Sequence, residues 1–142
     1  MLRDAVLIVA GGLLQVPAIE IAKQMGLVTI VTDSNPNAPA MKLADEVATI
    51  DIYDVPAYIA LVEELSKRYS LKGIFTEGAD VEVTVASVAA HLGLPGIPIE
   101  SAKRCKNKVL MRKAFEKNGI PNPRWAEVSD EQSLNREAKR IG

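Results

Sequence analysis

The sequence predicts an α/β fold: an open parallel β-sheet flanked by helices, followed by a helical start of a second domain. Three observations predict it. Short apolar runs rich in Val and Ile end in turns, as strands covered on both faces do. A segment with apolar residues at helical spacing follows most of these runs. The order strand, helix, strand recurs, and such units cross over right-handed to give parallel pairs.

The stretch Val6–Gly26 is the organising unit. Val6-Leu7-Ile8-Val9 reads as a buried strand, Gly11-Gly12 as a tight turn, and Val16–Met25 as an amphipathic helix. Pro17 suits the first helical turn, where its missing N–H has no partner anyway. Gly26 is placed to end the helix in a left-handed conformation. Leu27–Thr32 is the second strand and ends at Asp33.

Ser34-Asn35-Pro36-Asn37-Ala38-Pro39 is a loop by composition. Ala40–Ala44 can make one helical turn, and Val47–Ile50 a short third strand. Asp54 is placed as an N-cap, with Pro56 in the first turn. The helix predicted from Ala57 to Tyr69 puts Ile59, Val62, Leu65 and Tyr69 on one stripe. Gly73–Thr76 is the fourth strand and Glu77-Gly78-Ala79-Asp80 a polar turn. Val81–Leu92 is an apolar helix closed by Gly93, which calls for burial on more than one side.

Leu94–Pro98 is a rigid connection, and the first domain is expected to run over residues 1–98. Residues 99–142 form linker helices and the beginning of a second domain. Ser101 caps a short helix around Ala102–Cys105, and a helix from Asn107 to Asn118 ends at Gly119. Ile120–Trp125 is extended, because proline pushes its predecessor out of the helical region. Ser129 with Gln132 matches a capping box for a last helix, Asp130–Arg140. In α/β units a helix closed by glycine is normally followed by a strand, so the chain is expected to be the front part of a longer protein.

Composition bounds the function. The 142 residues are 48% hydrophobic and 25% charged, with a formal net charge of −1 from 17 basic and 18 acidic residues. No strongly basic face is predicted, so nucleic acid is not the expected partner. Cys105 is the single cysteine and cannot form an internal disulfide, which fits a reducing compartment. No apolar run reaches the roughly 20 residues that span a bilayer, and Met1–Asp4 leave no room for a signal peptide. The expected location is cytoplasmic, with no membrane partner and with a homo-oligomer possible through the apolar helix Val81–Leu92.

In a parallel sheet, ligands bind beyond the carboxyl ends of the strands. The turns at Gly11-Gly12, Asp33-Ser34-Asn35 and Glu77-Gly78-Ala79-Asp80 open on that one edge. With Gln15 they line a crevice suited to a small polar ligand bearing amine, hydroxyl or phosphate groups. Capping explains Asp33 and Asp80 equally simply. The turn is not G-x-G-x-x-G, so Asp33 alone is thin support for a nicotinamide cofactor. Lys108 and Arg112 share a helix face and can meet phosphate oxygens, although most of the basic cluster Lys103–Lys113 reads as solvated surface. His91 and Cys105 lack catalytic surroundings, and no metal-ligand spacing is present.

Three stretches resemble the ATP-grasp superfamily of carboxylate–amine and carboxylate–thiol ligases. Val6–Glu20 looks like that family's opening strand, turn and helix. Ala38–Glu46 is similar to its "APxxxxAD" run. Cys105–Arg112 through Gly119-Ile120-Pro121-Asn122-Pro123 is similar to its "DK…M…GIPxP" entry to the ATP-binding region. The resemblance covers nearly the whole chain. It implies a Rossmann-like pre-ATP-grasp domain over residues 1–98 and the beginning of the ATP-grasp domain after it. It implies ATP binding by Lys108, and substrate binding by Gly11, Gly12, Gln15, Glu77 and Gly78. It further implies ATP and Mg2+ as cofactors of the full-length enzyme, small carboxylate and amine substrates, and an acylphosphate intermediate. Carbamoyl-phosphate synthase, glycinamide ribonucleotide ligases and biotin carboxylase are groups of this kind. Asn107 stands where the family has Asp, and no catalytic or magnesium-binding residue falls within the chain, so the chain alone is expected to be inactive. Two other readings remain open: a standalone Rossmann-like binding or assembly module, and a nicotinamide-dependent oxidoreductase.

Overall fold

The side chains of the first strand, β1 (Arg3–Val9), feed two separate cores. Ala5, Leu7 and Val9 point to one face of the sheet, Val6 and Ile8 to the other, and all five are buried. This two-sided burial is why the run carries no polar alternation. The computed structural model describes residues 1–142.

Four parallel strands form the sheet: β1, β2 (Val28–Asp33), β3 (Glu46–Thr49) and β4 (Tyr69–Phe75), in the order β3-β2-β1-β4. Helix α1 (Val16–Gln24) covers one face through Ile19 and Ala22. Helices α2 (Val55–Leu65) and α3 (Glu82–His91) cover the other, through Tyr58, Val62 and Leu65 and through Val88 and Ala89. Each fully buried Leu, Ile or Val contributes roughly 1.5–3 kcal/mol. The chain reverses direction across the sheet after β3, and this puts α2 on the face opposite α1.

Several boundaries follow the sequence and several do not. Asp54 caps α2, accepting from the Ala57 amide at 3.0 Å. Gly26, Gly93 and Gly119 all take positive φ at helix ends. The single helical turn expected after the Pro39 loop is a 3-10 turn, Pro39–Lys42. The predicted helix Ala57–Tyr69 is too long, however. It stops at Leu65, where the amides of Lys67 and Arg68 tighten onto the carbonyls of Glu64 and Leu65. Tyr69 therefore opens β4, four residues before the predicted strand start at Gly73. Its ring lies under the guanidinium groups of Arg3 and Arg68, 5.7 and 5.2 Å from the centroid. Arg68 also grips Glu46 with both terminal nitrogens, and this bond holds the Glu46 carboxyl below its ordinary range.

The Asp45 carboxylate fastens β2 to the start of β3. Its Oδ2 accepts from the Thr29 amide at 2.8 Å and the Thr29 hydroxyl at 2.7 Å, and Lys23 Nζ lies 3.2 Å from Oδ1. Burial pushes the Asp45 carboxyl up, but the Thr29 bonds and Lys23 outweigh it and hold the group below its ordinary value. The "AD" of the resemblance is thus a structural clamp.

The chain divides into two compact units, Met1–Ala102 and Lys103–Gly142, and the division falls inside α4 (Ile99–Lys106). In the second unit, Asn107 lies just outside α5 (Lys108–Lys117) as its cap, its side chain accepting from Val109 and Leu110. The extended segment after α5 folds back along it. Arg112 donates to Asn122 Oδ1 at 2.8 Å, Lys113 pairs with Glu127 at 2.9 Å, and the Trp125 indole donates to Glu116 at 2.6 Å. The capping box of α6 (Glu131–Ile141) is Asp130 with Ser133, one residue beyond the predicted Ser129–Gln132 pair. The Asp130 carboxylate is free to take the Ser133 amide, and its acidity rises accordingly. No helix is long and apolar enough to cross a membrane.

Candidate functional site

The carboxyl ends of β1, β2 and β4 meet in one loop cluster. Ala10 leaves β1 with φ +76, a left-handed conformation that costs an L-residue roughly 1–2 kcal/mol. It turns the chain so that the buried Gly11 passes against the loop after β2. The Gly11 amide donates to Asp33 Oδ2 at 2.6 Å, and its carbonyl accepts from Ala40 at 2.9 Å. A Cβ on Gly11 would lie 2.9 Å from Ala38 Cβ and 3.2 Å from Asp33 Cβ, so only glycine fits. Asp33 Oδ1 accepts the Asn35 amide at 2.8 Å. Asp33 thus uses both carboxylate oxygens on backbone donors, closing its own loop and joining it to the glycine turn.

Gln15 ties in the third loop. Its side chain is 2% exposed, and its amide nitrogen donates to the Glu77 carbonyl, 62 residues away. Gly78 follows with φ +66, and Leu14 lies where a Gly78 side chain would stand, 2.2 Å from its ideal Cβ position. The Glu77 side chain is exposed. Beneath the cluster, Tyr58 Oη and Thr32 Oγ1 lie 2.6 Å apart, and the Thr32 hydroxyl also reaches the Ile8 carbonyl at 3.4 Å. Burial raises the Tyr58 phenol above its ordinary value, and the charges of Asp33 and Asp51 add to this, against the Thr32 bond.

Two features at this edge leave no trace in the sequence pattern. Thr76 Oγ1 and Glu82 Oε2 are buried without a hydrogen-bond partner. Thr76 directly follows β4 and Glu82 opens α3, so both sit at the carboxyl edge. Buried acceptors are normally satisfied, so these two are places for a donor.

The structure brings Gly11, Gly12, Gln15, Asp33, Glu77 and Gly78 to one edge of the first unit. Lys108 belongs to the second unit, exposed at the first position of α5. Arg112, which shares its helix face, is committed to Asn122. No three His, Cys, Asp or Glu side chains are grouped to hold a metal ion.

The family model described as PylC-like, N-terminal domain, matches residues 6–90. The chain belongs to this PylC-like family. The matched span holds all of the loop cluster and excludes Lys108. The formate-dependent phosphoribosylglycinamide formyltransferase of Saccharolobus solfataricus is 30% identical over 142 residues, 99% of this chain and 34% of that relative. Among solved structures, phosphoribosylglycinamide synthetase from Anaerococcus prevotii superposes with a TM-score of 0.77 at 28% identity, covering 100% of this chain and 35% of that one. N5-carboxyaminoimidazole ribonucleotide synthetase from Thermotoga maritima gives 0.70 at 26% identity, covering 96% and 36%. The PylC-like chain spans between 20% and 35% of the length of the curated relatives it matches. The resemblance to the amino-terminal part of ATP-grasp ligases, drawn from three loose motifs, holds over the fold as a whole.

Proposed function

We propose that this PylC-like chain is the amino-terminal part of a cytoplasmic, ATP-dependent ligase that joins a carboxylate to an amine or a thiol. In this reading residues 1–98 are the substrate-side domain, and residues 99–142 are linker helices and the beginning of the ATP-grasp region. ATP transfers its terminal phosphoryl group to the carboxylate. The amine nitrogen then attacks the acyl carbon, phosphate leaves, and the nitrogen loses a proton.

One observation carries the substrate side. The unpartnered Thr76 hydroxyl and Glu82 oxygen lie at the same sheet edge as the glycine turn, and an amine supplies the donors they lack. Gly12 is the exposed glycine of the turn and leaves its backbone open to a ligand, while Gly11 and Gly78 let Ala38 and Leu14 pack against the backbone and so shape the loops around it. Gln15 and Asp33 hold the three loops in register, and Glu77 adds negative charge for a cationic amine.

ATP fits Lys108. A cation at the first position of a helix opposes the helix dipole, so its placement favours an anionic ligand over helix stability. Mg2+ would neutralise phosphate charge when bound. No three His, Cys, Asp or Glu side chains of this chain are grouped around a site for it.

The test is ADP release by the natural protein that contains this chain, with ATP and a panel of carboxylates, formate first, each paired with candidate amines. Release that requires both a carboxylate and an amine supports the reading. Release that ignores the carboxylate, or tight binding of a nicotinamide dinucleotide, overturns it. The 142-residue chain alone is expected to release no ADP.

A further inference from the structure

The Gln15 side chain has two ends, and only one of them is used by the fold. Its nitrogen donates to the Glu77 carbonyl. A carbonyl only accepts, so this bond fixes which end of the carboxamide faces Glu77 and which faces away. The end that faces away, Oε1, lies 3.2 Å from the point where a Cβ of Gly12 would stand. No donor of the chain reaches it: Gly12 opens the turn Leu13–Gln15 without a side-chain cap bond, and the Gln15 side chain makes no other hydrogen bond. Gln15 is 2% exposed, whereas Gly12 is exposed. A buried side chain thus holds one unpartnered acceptor at the open face of the turn, and it cannot rotate without breaking the Glu77 bond.

The chemistry around this acceptor has one sign. Residues 10–15, 33–38 and 76–82 make up the three loops, and they carry Asp33, Glu77, Asp80 and Glu82 but no Lys, Arg or His. The Gly11 amide, a donor that a phosphate would use in a glycine turn, is taken by Asp33. Lys23, Arg68 and Lys72 pair with Asp45, Glu46 and Asp4 at the opposite, amino edge of the sheet. The unpartnered oxygens of Thr76 and Glu82 flank the β4 turn that Gln15 holds. Leu13 and Leu14, 74% and 60% exposed, add apolar surface beside Gly12.

We propose that Gln15 is a specificity-determining residue: its Oε1 accepts an N–H from a substrate ammonium whose alkyl part lies on Leu13 and Leu14, and the same edge refuses a phosphate. The proposal rests on the reading of this edge as the amine side of a ligase, and it narrows that substrate to an alkylamine with no phosphate at this end. An ammonium brings donors and positive charge to a set of acceptors. A phosphate brings more acceptors and charge of the wrong sign.

The experiment is an NMR titration of the nitrogen-15-labelled chain, without ATP, using n-butylammonium, tetramethylammonium and inorganic phosphate. Tetramethylammonium carries the charge but no N–H. n-Butylammonium is expected to shift the Gln15 side-chain and Gly12 backbone signals and to bind about tenfold tighter than tetramethylammonium, the ratio one hydrogen bond supplies. Phosphate is expected to shift neither signal. Gln15→Met removes the acceptor at similar volume, and n-butylammonium affinity is expected to fall about tenfold. Gln15→Lys keeps a donor for the Glu77 carbonyl and replaces the acceptor with a cation, so it is expected to lose n-butylammonium and gain phosphate. Where Gln15→Lys does not fold, Gln15→Met decides. Equal binding of the two ammonium ions overturns the proposal. So does a wild-type response to phosphate, no response to n-butylammonium, or unchanged n-butylammonium binding in Gln15→Met. Since no ATP is present, failure here leaves the ligase reading standing, and absence of ADP release with every carboxylate–amine pair leaves this subsite standing.

Discussion

The Gly11 amide and the Asp33 carboxylate meet at 2.6 Å, and this bond joins the ends of two adjacent parallel strands above the sheet. The same carboxylate takes the Asn35 amide. A residue that sequence reasoning weighs equally as ligand or cap therefore organises the loops by which a ligand would be held.

Asp33→Ala is expected to destabilise the first unit by about 1–3 kcal/mol, because two backbone donors lose a charged acceptor. Asp33→Asn keeps one acceptor oxygen and is expected to lose less. Urea denaturation of both variants measures the difference. Equal stability of wild type and Asp33→Ala would remove Asp33 from this role.

Ala10→Gly is expected to stabilise the chain. Relief of the left-handed backbone returns roughly 1–2 kcal/mol, while the extra freedom of glycine in the unfolded chain costs roughly 0.5–1 kcal/mol. The denaturation midpoint should rise with an unchanged slope, and a fall would show that φ +76 at Ala10 carries no strain.

Asp45 makes stability depend on pH in a stated direction. Its carboxyl is held below the ordinary value in the folded chain. The contribution is therefore fully present above the unfolded carboxylate range and disappears as pH falls through the lower, folded value. Asp45→Asn is expected to be less stable at neutral pH and to show a shallower loss toward acid. Parallel acid titrations followed by circular dichroism check both parts.

Lys108→Ala separates two effects. In the natural protein the KM for ATP is expected to rise. The helix itself is expected to gain a few tenths of a kcal/mol, because a cation leaves its positive end. A weaker helix with an unchanged KM would make Lys108 structural.

Much of this architecture was legible in the sequence, and the reasons are local. β1 and β2 announce themselves because burial on both faces leaves no room for polar residues. Gly26, Pro17 and Asp54 mark helix ends because their backbone chemistry fits few other places. Tyr69 was misplaced because its i, i+4 spacing from Leu65 mimics a helical stripe, while the contacts that make it a strand residue come from Arg3, Arg68 and the distant Glu46. The capping box slipped by one because Ser129 and Asp130 are both capable caps and only the fold chooses. In the candidate site, the glycine turn, Gln15 and the Glu77 loop could be read from position after a strand. Ala10, the packing of Leu14 over Gly78, and the unpartnered Thr76 and Glu82 could not, since each depends on what another strand brings alongside.

The second unit has a different character from the first. No residue of α5 is buried, and in α6 only Ser133 is. Its order rests on Arg112–Asn122, Lys113–Glu127, Trp125–Glu116 and the Asp130 cap, all exposed or half-exposed polar bonds. Bonds of that kind open one at a time, without the cooperative loss of a core. Amide protons of α5 and α6 should therefore exchange with deuterium far sooner than those of β1, on a clock set by single hydrogen bonds rather than by global unfolding.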